Sequence, residues 1–478
     1  MINFLRNNAK VVAITILVFF VATMGSGTFF LSKYGKSDTE QTASSGTAFA
    51  TIGSIPIDQT KFREMIQFSM AQLGAQKNRS IPPEFIENLQ MQALQEAARY
   101  SVFVHAAEAQ KISVTRAERN QAIDAIIKQY GFKDKRELKK KLKEAKYPYN
   151  SFIGRLENDI KVQKLINQVK EQITITDRDV ENKYTEINAR HILIAIDPKT
   201  SAEDAEKKSQ SVFAEIKGGL SFEDAAKKYS ADPSNKDKGG ELGWFGAGRM
   251  VTTFEDAAFA LEKGELSTPV RTEFGYHIIQ VADRREIARP ASTDLETEKK
   301  QLLAERQDRK LREMLGEAGG NQPITVNDPE LNATYQKFRG NIQGALAGYQ
   351  LMISKNPSAT YGHYLMANTY FMTGEIEKAI QQLEIADIKG SSSPQFDSPY
   401  IHLFLGRMYD KNGRPRDAQL QFDKATALGS QDLTILTQLK SIYTQNNNLA
   451  KQLEVEAAML KLQPSEPTKN AAPDPDGH

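Results

Sequence analysis

Two histidines carry the first chemical signal in this chain. His191 lies in the run Ala189-Arg190-His191-Ile192-Leu193-Ile194, and His277 lies in Gly275-Tyr276-His277-Ile278-Ile279-Gln280-Val281. Each run is apolar, strand-like and bounded by turn residues. The sequence holds only 6 histidines, so a pair inside one short stretch is informative. Two buried imidazoles can share a proton and take part in a polar network; they can equally be a scaffold that only holds a sheet. There is no cysteine. Disulfides, thiolate metal sites and cysteine nucleophiles are therefore excluded, and the composition suits an oxidising compartment. His363 and His402 stand in helical surroundings and read as packing residues rather than metal ligands. No metal and no cofactor is expected.

The elements that must position the pair lie between them. Ala202 to Ile216 is a helical pattern, Phe222 to Tyr229 a shorter one, and Thr253 to Leu261 a third. A glycine-rich turn, Gly239-Gly240-Glu241-Leu242-Gly243-Trp244-Phe245, precedes Met250-Val251. Strand, helices, strand, helix, strands is a small α+β unit of a size that folds alone.

On the opening Arg190-His191-Ile192-Leu193, the central Gly239 to Phe245 and the closing Gly275 to Val281, this stretch resembles the parvulin-type peptidyl-prolyl cis/trans isomerases. The resemblance implies a proline pocket of Leu242, Met250 and Phe254. It implies paired core histidines at His191 and His277, a carboxylate at Asp232 where the family has cysteine or aspartate, and a hydroxyl partner at Thr272. Rotation about an X-Pro bond needs no nucleophile, only relief of amide resonance across a barrier of ~18–20 kcal/mol. A gain of about 10⁵ in rate asks for ~7 kcal/mol. A site supplies this by gripping the proline, excluding water and preferring the twisted amide. Trp244 and Phe245 read as rim and core. The loop Asp197-Pro198-Lys199-Thr200 has one basic residue, whereas phosphate-directed parvulins carry an arginine cluster there. Phosphoserine-proline specificity is not expected.

The chain has 478 residues and a net charge of +2. Its length suggests about three domains, and there is no basic excess of the kind that nucleic-acid binding needs. Residues 1–10 read as a cytoplasmic end. Val11 to Ser32 is free of charge and spans about 33 Å as a helix, enough for a bilayer core. It is expected to be an uncleaved single-pass anchor in the cytoplasmic membrane, with a cleaved signal peptide as the alternative. Residues 33–47 are a polar tether. Residues 48–186 read as a helical domain. Ala48 to Ile57 is strand-like, and helices begin at Asp58, Pro82, Thr115, Asp134 and Ser151. Lys133 to Lys146 is strongly basic and reads as a solvated face, with anionic lipid as the alternative.

After the isomerase stretch, 187–285, a capped helix from Thr293 to Leu315 carries Leu295, Leu302, Leu311 and Leu315. Its stripe needs a partner, and the helices from Pro82 to Gln172 are the expected one, so that 292–316 completes the first domain. This arrangement resembles the SurA/PpiD/PrsA group of extracytoplasmic chaperone-isomerases. Residues 317–330 read as a linker. Beyond it Tyr370, Gly374, Ala379, Leu383 and Ala386 recur as Tyr409, Gly413, Ala418, Phe422 and Ala425. Ala345 to Ala379 is one 34-residue step of the tetratricopeptide pattern. Tyr349, Tyr443 and Pro464 fit further units, so 331–464 is expected to be repeats, with a Gly390 to Pro394 loop lengthening one step. Residues 465–478 read as a disordered tail.

The expected architecture is an α+β multidomain chain: transmembrane helix, helical chaperone domain interrupted by a parvulin domain, then tetratricopeptide-like repeats. The expected function is an extracytoplasmic, periplasmic foldase. It would isomerise X-Pro bonds in unfolded exported polypeptides, with a protein partner on the repeats and no nucleic acid. The competing reading is a non-catalytic chaperone or a repeat-based adaptor.

Overall fold

The computed structural model describes residues 48–74, 82–145, 147–197, 200–289, 294–358, 360–392 and 397–462. The expected anchor at Val11 to Ser32, the tether before it meets residue 48, and the tail at 465–478 lie outside the described residues. Among the described residues no helix is long and apolar enough to cross a membrane. In chain order, strands β1 (Ala50–Ile52) and β2 (Ile55–Pro56) precede helices α1 (Gln59–Gly74), α2 (Pro83–Ala109), α3 (Arg116–Gln129), α4 (Lys135–Glu144), α5 (Tyr149–Glu171) and α6 (Asp177–Asn182). Then come β3 (Thr185–Ala195), α7 (Ala202–Lys217), α8 (Phe222–Tyr229), β4 (Glu241–Gly246), α9 (Thr252–Ala260), β5 (Val270–Thr272), β6 (Gly275–Glu286), α10 (Leu295–Leu315) and β7 (Ile324–Val326). The rest is helical: α11 (Pro329–Phe338), α12 (Ile342–Lys355), α13 (Tyr361–Met372), α14 (Ile376–Ser392), α15 (Pro399–Lys411), α16 (Pro415–Leu428), α17 (Leu433–Gln445) and α18 (Leu449–Leu462). Contacts divide the chain into two units. One comprises Met1–Ser101, Arg116–Leu156 and Gln322–His478, the other Val102–Thr115 and Glu157–Asn321.

In the first unit a three-stranded antiparallel sheet has the order β2-β1-β7. Ala50 pairs with Val326 and Ile52 with Ile324. The stretch 317–330, expected to be a linker, therefore contains a strand. Its Val326 is buried, so the segment is held by a ladder and by apolar burial rather than left to solvent. Arg155 fastens the early helices: it pairs with Asp58 at 2.8 Å and Glu64 at 3.1 Å, and its guanidinium lies 4.5 Å from the Tyr100 ring. The C-terminal helices form consecutive pairs, with Ala345, Tyr349, Ala379, Leu383, Ala386, Ala418, Phe422, Ala425 and Tyr443 all buried in one core. These are the anchors of the sequence repeat. Pro329, Pro399 and Pro415 each stand in the first turn of a helix, where a missing N–H costs nothing. The expected loop from Gly390 is helical through Ser392, and Gly390 is buried where a side chain would meet Asp397. Residues 393–396 lie outside the described residues. His363 Nδ1 contacts Gln382 Oε1 at 2.8 Å and His402 Nδ1 contacts Gln421 Oε1 at 2.7 Å. Each imidazole thus joins the two helices of its own pair.

The second unit contains a four-stranded antiparallel sheet of order β4-β3-β6-β5. Alternation along β3 and β6 separates two faces. Ile192, Ile194 and Ile278 pack on Ala205 and Val212 of α7 and on Phe222, Ala225 and Ala226 of α8. Ile187, Ala189, Ile279 and Val281 pack on Phe254, Ala258 and Phe259 of α9. Both α7 and α8 start at serine caps: Ser201 accepts from the amide of Asp204, and Ser221 from that of Asp224. The sequence directs the leucine stripe of α10 toward the helices before the isomerase stretch. Of its stripe only Leu302 is buried; Leu311 and Leu315 are half-buried and Leu295 is exposed. One hydrogen bond, Gln307 Nε2 to the Lys170 carbonyl at 3.3 Å, runs to α5. Ion pairs join α10 to α6 and α9: Arg306 with Asp179 at 2.8 Å and Asp256 at 3.3 Å, and Arg309 with Glu255 at 3.0 Å. Thr293, expected as its cap, lies outside the described residues; Asp294 fills the cap and accepts from the Thr297 amide.

Candidate active site

The register of the central strands brings the histidines together. β3 and β6 pair His191 with Ile279 and Leu193 with His277, so the two imidazoles are diagonal neighbours on the α9 face. Their Nδ1 atoms lie 3.1 Å apart and their rings are inclined by 15°. His191 Nε2 lies 2.8 Å from Asp232 Oδ2, and His277 Nε2 lies 2.8 Å from Thr272 Oγ1. The Phe274 amide donates to Thr272 Oγ1 at 3.2 Å.

An anionic acceptor at one end gives the protons of this chain a consistent direction. A carboxylate accepts only, so His191 donates from Nε2 and accepts at Nδ1; His277 then donates from Nδ1 and accepts at Nε2 from the Thr272 hydroxyl. The result is an aligned chain from the Phe274 amide through Thr272, His277 and His191 to Asp232. Aligned donors polarise one another. Both imidazoles are neutral in this chain. Burial pushes His191 below its ordinary pKa against the opposing pull of Asp232. Burial, with His191 nearby, pushes His277 down to about 3. Asp232 is the reverse case. Burial works to raise it, but hydrogen bonds from the Ser234 hydroxyl and amide and from His191 outweigh that and hold it below the usual carboxylate range. It remains an anion.

Glycine makes this geometry possible at two points. Gly240 has φ +81°, and a side chain there would come within 2.2 Å of the His191 carbonyl oxygen, because the His191 amide donates to the Gly240 carbonyl at 2.8 Å. Gly275 has φ +140°, and its Cβ would lie 2.1 Å from the Ile194 carbonyl oxygen. Neither conformation nor close approach is open to other residues.

Above the chain sits the apolar part. Phe254 is buried and presents T-shaped contacts to both imidazoles, at 5.7 Å from His191 and 5.2 Å from His277. Leu242 and Met250 are half-buried and pack on the same cluster. All seven residues expected from sequence thus gather on one face of the sheet. Phe245 is buried, whereas Trp244 is 38% exposed and lies under Arg285 at 4.3 Å. Asp197 and Thr200 bond each other's backbone; Pro198 and Lys199 lie outside the described residues.

Sequence reasoning missed Ser234 and Asn235. Ser234 donates to Asp232 Oδ1 from its amide at 3.0 Å and its hydroxyl at 2.7 Å, an Asx-turn that Asp-Pro-Ser spacing could have signalled. Asn235 is buried, and its amide nitrogen donates to Asp232 Oδ2 at 2.9 Å. No periodicity announces it.

Residues 160–285 match the family model of the PPIC-type PPIASE domain, and residues 1–166 match that of the SurA-like N-terminal domain. Among curated proteins, foldase protein PrsA 4 of Bacillus cereus is 39% identical over 168 residues, covering 34% of this chain and 56% of that protein. PrsA of Bacillus subtilis is 40% identical over 175 residues, covering 34% and 56%. A solved structure of PrsA from Bacillus anthracis is 28% identical and covers 46% of this chain and 96% of its own, with a TM-score of 0.23. The chain spans 56% of the length of PrsA 4 and 37% of that of PrsA 1. It reaches further along foldase protein PrsA 2 of Bacillus cereus, 31% identical over 229 residues, covering 47% of this chain and 74% of that protein. With that extent of match, a SurA-like N-terminal region and a PPIC-type isomerase domain, the chain belongs to the PrsA foldase family.

Proposed function

We propose that this protein is a membrane-anchored, extracytoplasmic foldase that isomerises X-Pro bonds in unfolded exported polypeptides and holds such chains with its helical domain. The observation that carries the catalytic part is the polarised chain from Thr272 to Asp232 packed against Phe254, whose apolar cluster takes in Leu242 and Met250. Phe254 and the flexible Met250 receive a puckered proline ring. With the ring gripped and water displaced, the anionic Asp232 acts on the amide carbonyl electrostatically and favours the twisted, less resonant amide. The neutral histidines keep Asp232 and Phe254 in fixed relation. They transfer no proton to substrate, because the reaction moves none.

The domain scheme read from sequence supports the rest. Val11 to Ser32 serves as the anchor, residues 48–186 with 292–316 as the chaperone domain, 187–285 as the isomerase domain, and 331–464 as tetratricopeptide-like repeats open to a protein partner. The test is a refolding assay in which X-Pro isomerisation limits the rate, with the chain from Thr47 onward as catalyst. The slow phase is expected to accelerate in proportion to catalyst. An unchanged slow phase together with suppressed aggregation would leave a chaperone whose histidines only brace a sheet.

A further inference from the structure

The helix that carries Phe254 does not cap itself. The residue before it, Val251, has extended backbone and no side-chain hydrogen bond to the first turn, although the first amides of a helix need acceptors. The acceptor comes from α10. Glu313 Oε1 takes the Thr252 amide at 2.9 Å and the Thr252 hydroxyl at 2.9 Å. One turn earlier Arg309 donates to the Met250 carbonyl at 3.4 Å and pairs with Glu255 at 3.0 Å. Glu255 is 2% exposed. Its other oxygen accepts from the Gly248 amide at 2.6 Å, so it ties the loop before the helix to the helix itself. Arg306, Arg309 and Glu313 lie along one face of α10, and together they fasten the whole segment from Gly248 to Asp256.

That segment holds two of the three pocket side chains, Met250 on the loop and Phe254 on the first turn. We propose that α10 is a positioning element of the proline pocket, with Glu313 and Arg309 as its positioning residues. The stretch from Ala189 to Val281 then presents a correctly spaced pocket only when the helix beyond it is docked. The charge pattern fits the task. A carboxylate at a helix N-terminus meets the positive end of the backbone dipole. The Arg309 guanidinium neutralises a carboxylate that would otherwise be buried alone and would turn outward toward water, taking the Gly248 loop with it.

This rests on the proposed isomerase reading, and the experiment separates the two. The full chain is titrated with a short Ala-Pro peptide by NMR, and cis/trans exchange is measured in the same samples. The variants are Glu313→Ala, Glu313→Gln, and Glu313→Ala combined with Val251→Thr, which keeps the side-chain volume and offers a cap from the helix's own sequence. Glu313→Ala should weaken peptide binding and raise KM roughly fivefold with kcat unchanged, because a displaced pocket loses grip on planar and twisted amides alike. Glu313→Gln keeps an acceptor and should stay near wild type, and Val251→Thr should restore most of the loss. A purely structural role gives a different pattern: a smaller active fraction, seen as lower apparent kcat at wild-type KM. That pattern, or a Glu313→Ala chain with wild-type Kd, overturns the inference. Wild-type protein that binds the peptide without speeding exchange overturns the isomerase reading, and the inference is then decided by Kd.

Discussion

Replacing Asp232 separates electrostatics from packing at this site. The carboxylate accepts at Oδ2 from His191 and Asn235 and at Oδ1 from Ser234. Asp232→Ala removes the charged end of the hydrogen-bond chain and leaves the pocket of Leu242, Met250 and Phe254 in place. A hydrogen bond to a charged group contributes ~1.5–3 kcal/mol, and each 1.36 kcal/mol is tenfold in rate. If the anion acts on the twisted amide, kcat should fall by roughly 10- to 100-fold. The upper end is discounted by solvent, since the Asp232 side chain is 21% exposed. KM should hold, because the proline is still gripped. Asp232→Asn keeps an acceptor for His191 but loses the charge, so its kcat should lie between the other two. The assay is exchange spectroscopy of an Ala-Pro peptide at several substrate concentrations with the full chain. A kcat for Asp232→Ala within about twofold of wild type would refute the assignment of the carboxylate to the chemistry.

Two further outcomes concern stability. The pKa of His277 is 6.5 when unfolded and about 3 when folded, so the unfolded chain binds an extra proton in that window. Stability is therefore full above 6.5 and falls as pH drops toward about 3, by up to ~1.36 kcal/mol per unit for each such histidine. Urea unfolding followed at Trp244 across that range should show this slope, and His277→Phe should flatten it; an unchanged slope in the variant would show that the acid sensitivity lies elsewhere. In the other unit Lys337 pairs with Glu87 at 2.5 Å, their side chains only 5% and 2% exposed, and Tyr349 donates to the same carboxylate at 2.9 Å. Lys337→Met should cost about 3–5 kcal/mol by stranding that anion, and adding Glu87→Gln should recover most of it. Thermal unfolding of the two variants measures this, and an additive pair of losses would contradict it.

The isomerase domain was legible because its signals are local. Alternating strands around His191 and His277, helical patterns between them and turn glycines each announce themselves within a few residues, and all seven proposed site residues fall on one face. The polar contacts of α10 were not legible. A leucine stripe says that a helix needs burial but announces no ion pairs, and Arg306, Arg309 and Glu313 find carboxylates and an open helix end on α6 and α9. The strand β7 was hidden for a similar reason. Three residues, Ile324–Val326, bounded by Pro323 and Asn327, have the composition of a linker, and only pairing with β1 makes them a strand. Asn235 was hidden because a polar residue in a polar loop carries no pattern, and its burial is a property of the closed turn.

The pairing of β1 with β7 also sets an order of events during synthesis. Thr51 meets its partner Thr325 only after the ribosome has added the whole of the intervening chain, roughly 15–55 s of elongation. All strands of the isomerase sheet lie between Thr185 and Glu286, so that sheet can close first. Until β7 arrives, β1 and β2, 3 and 2 residues long, lack their third strand, and an isolated pair of strands is marginal in water. Delivery of Ile324–Val326 thus completes the sheet, joining the first described strand of the chain to the last.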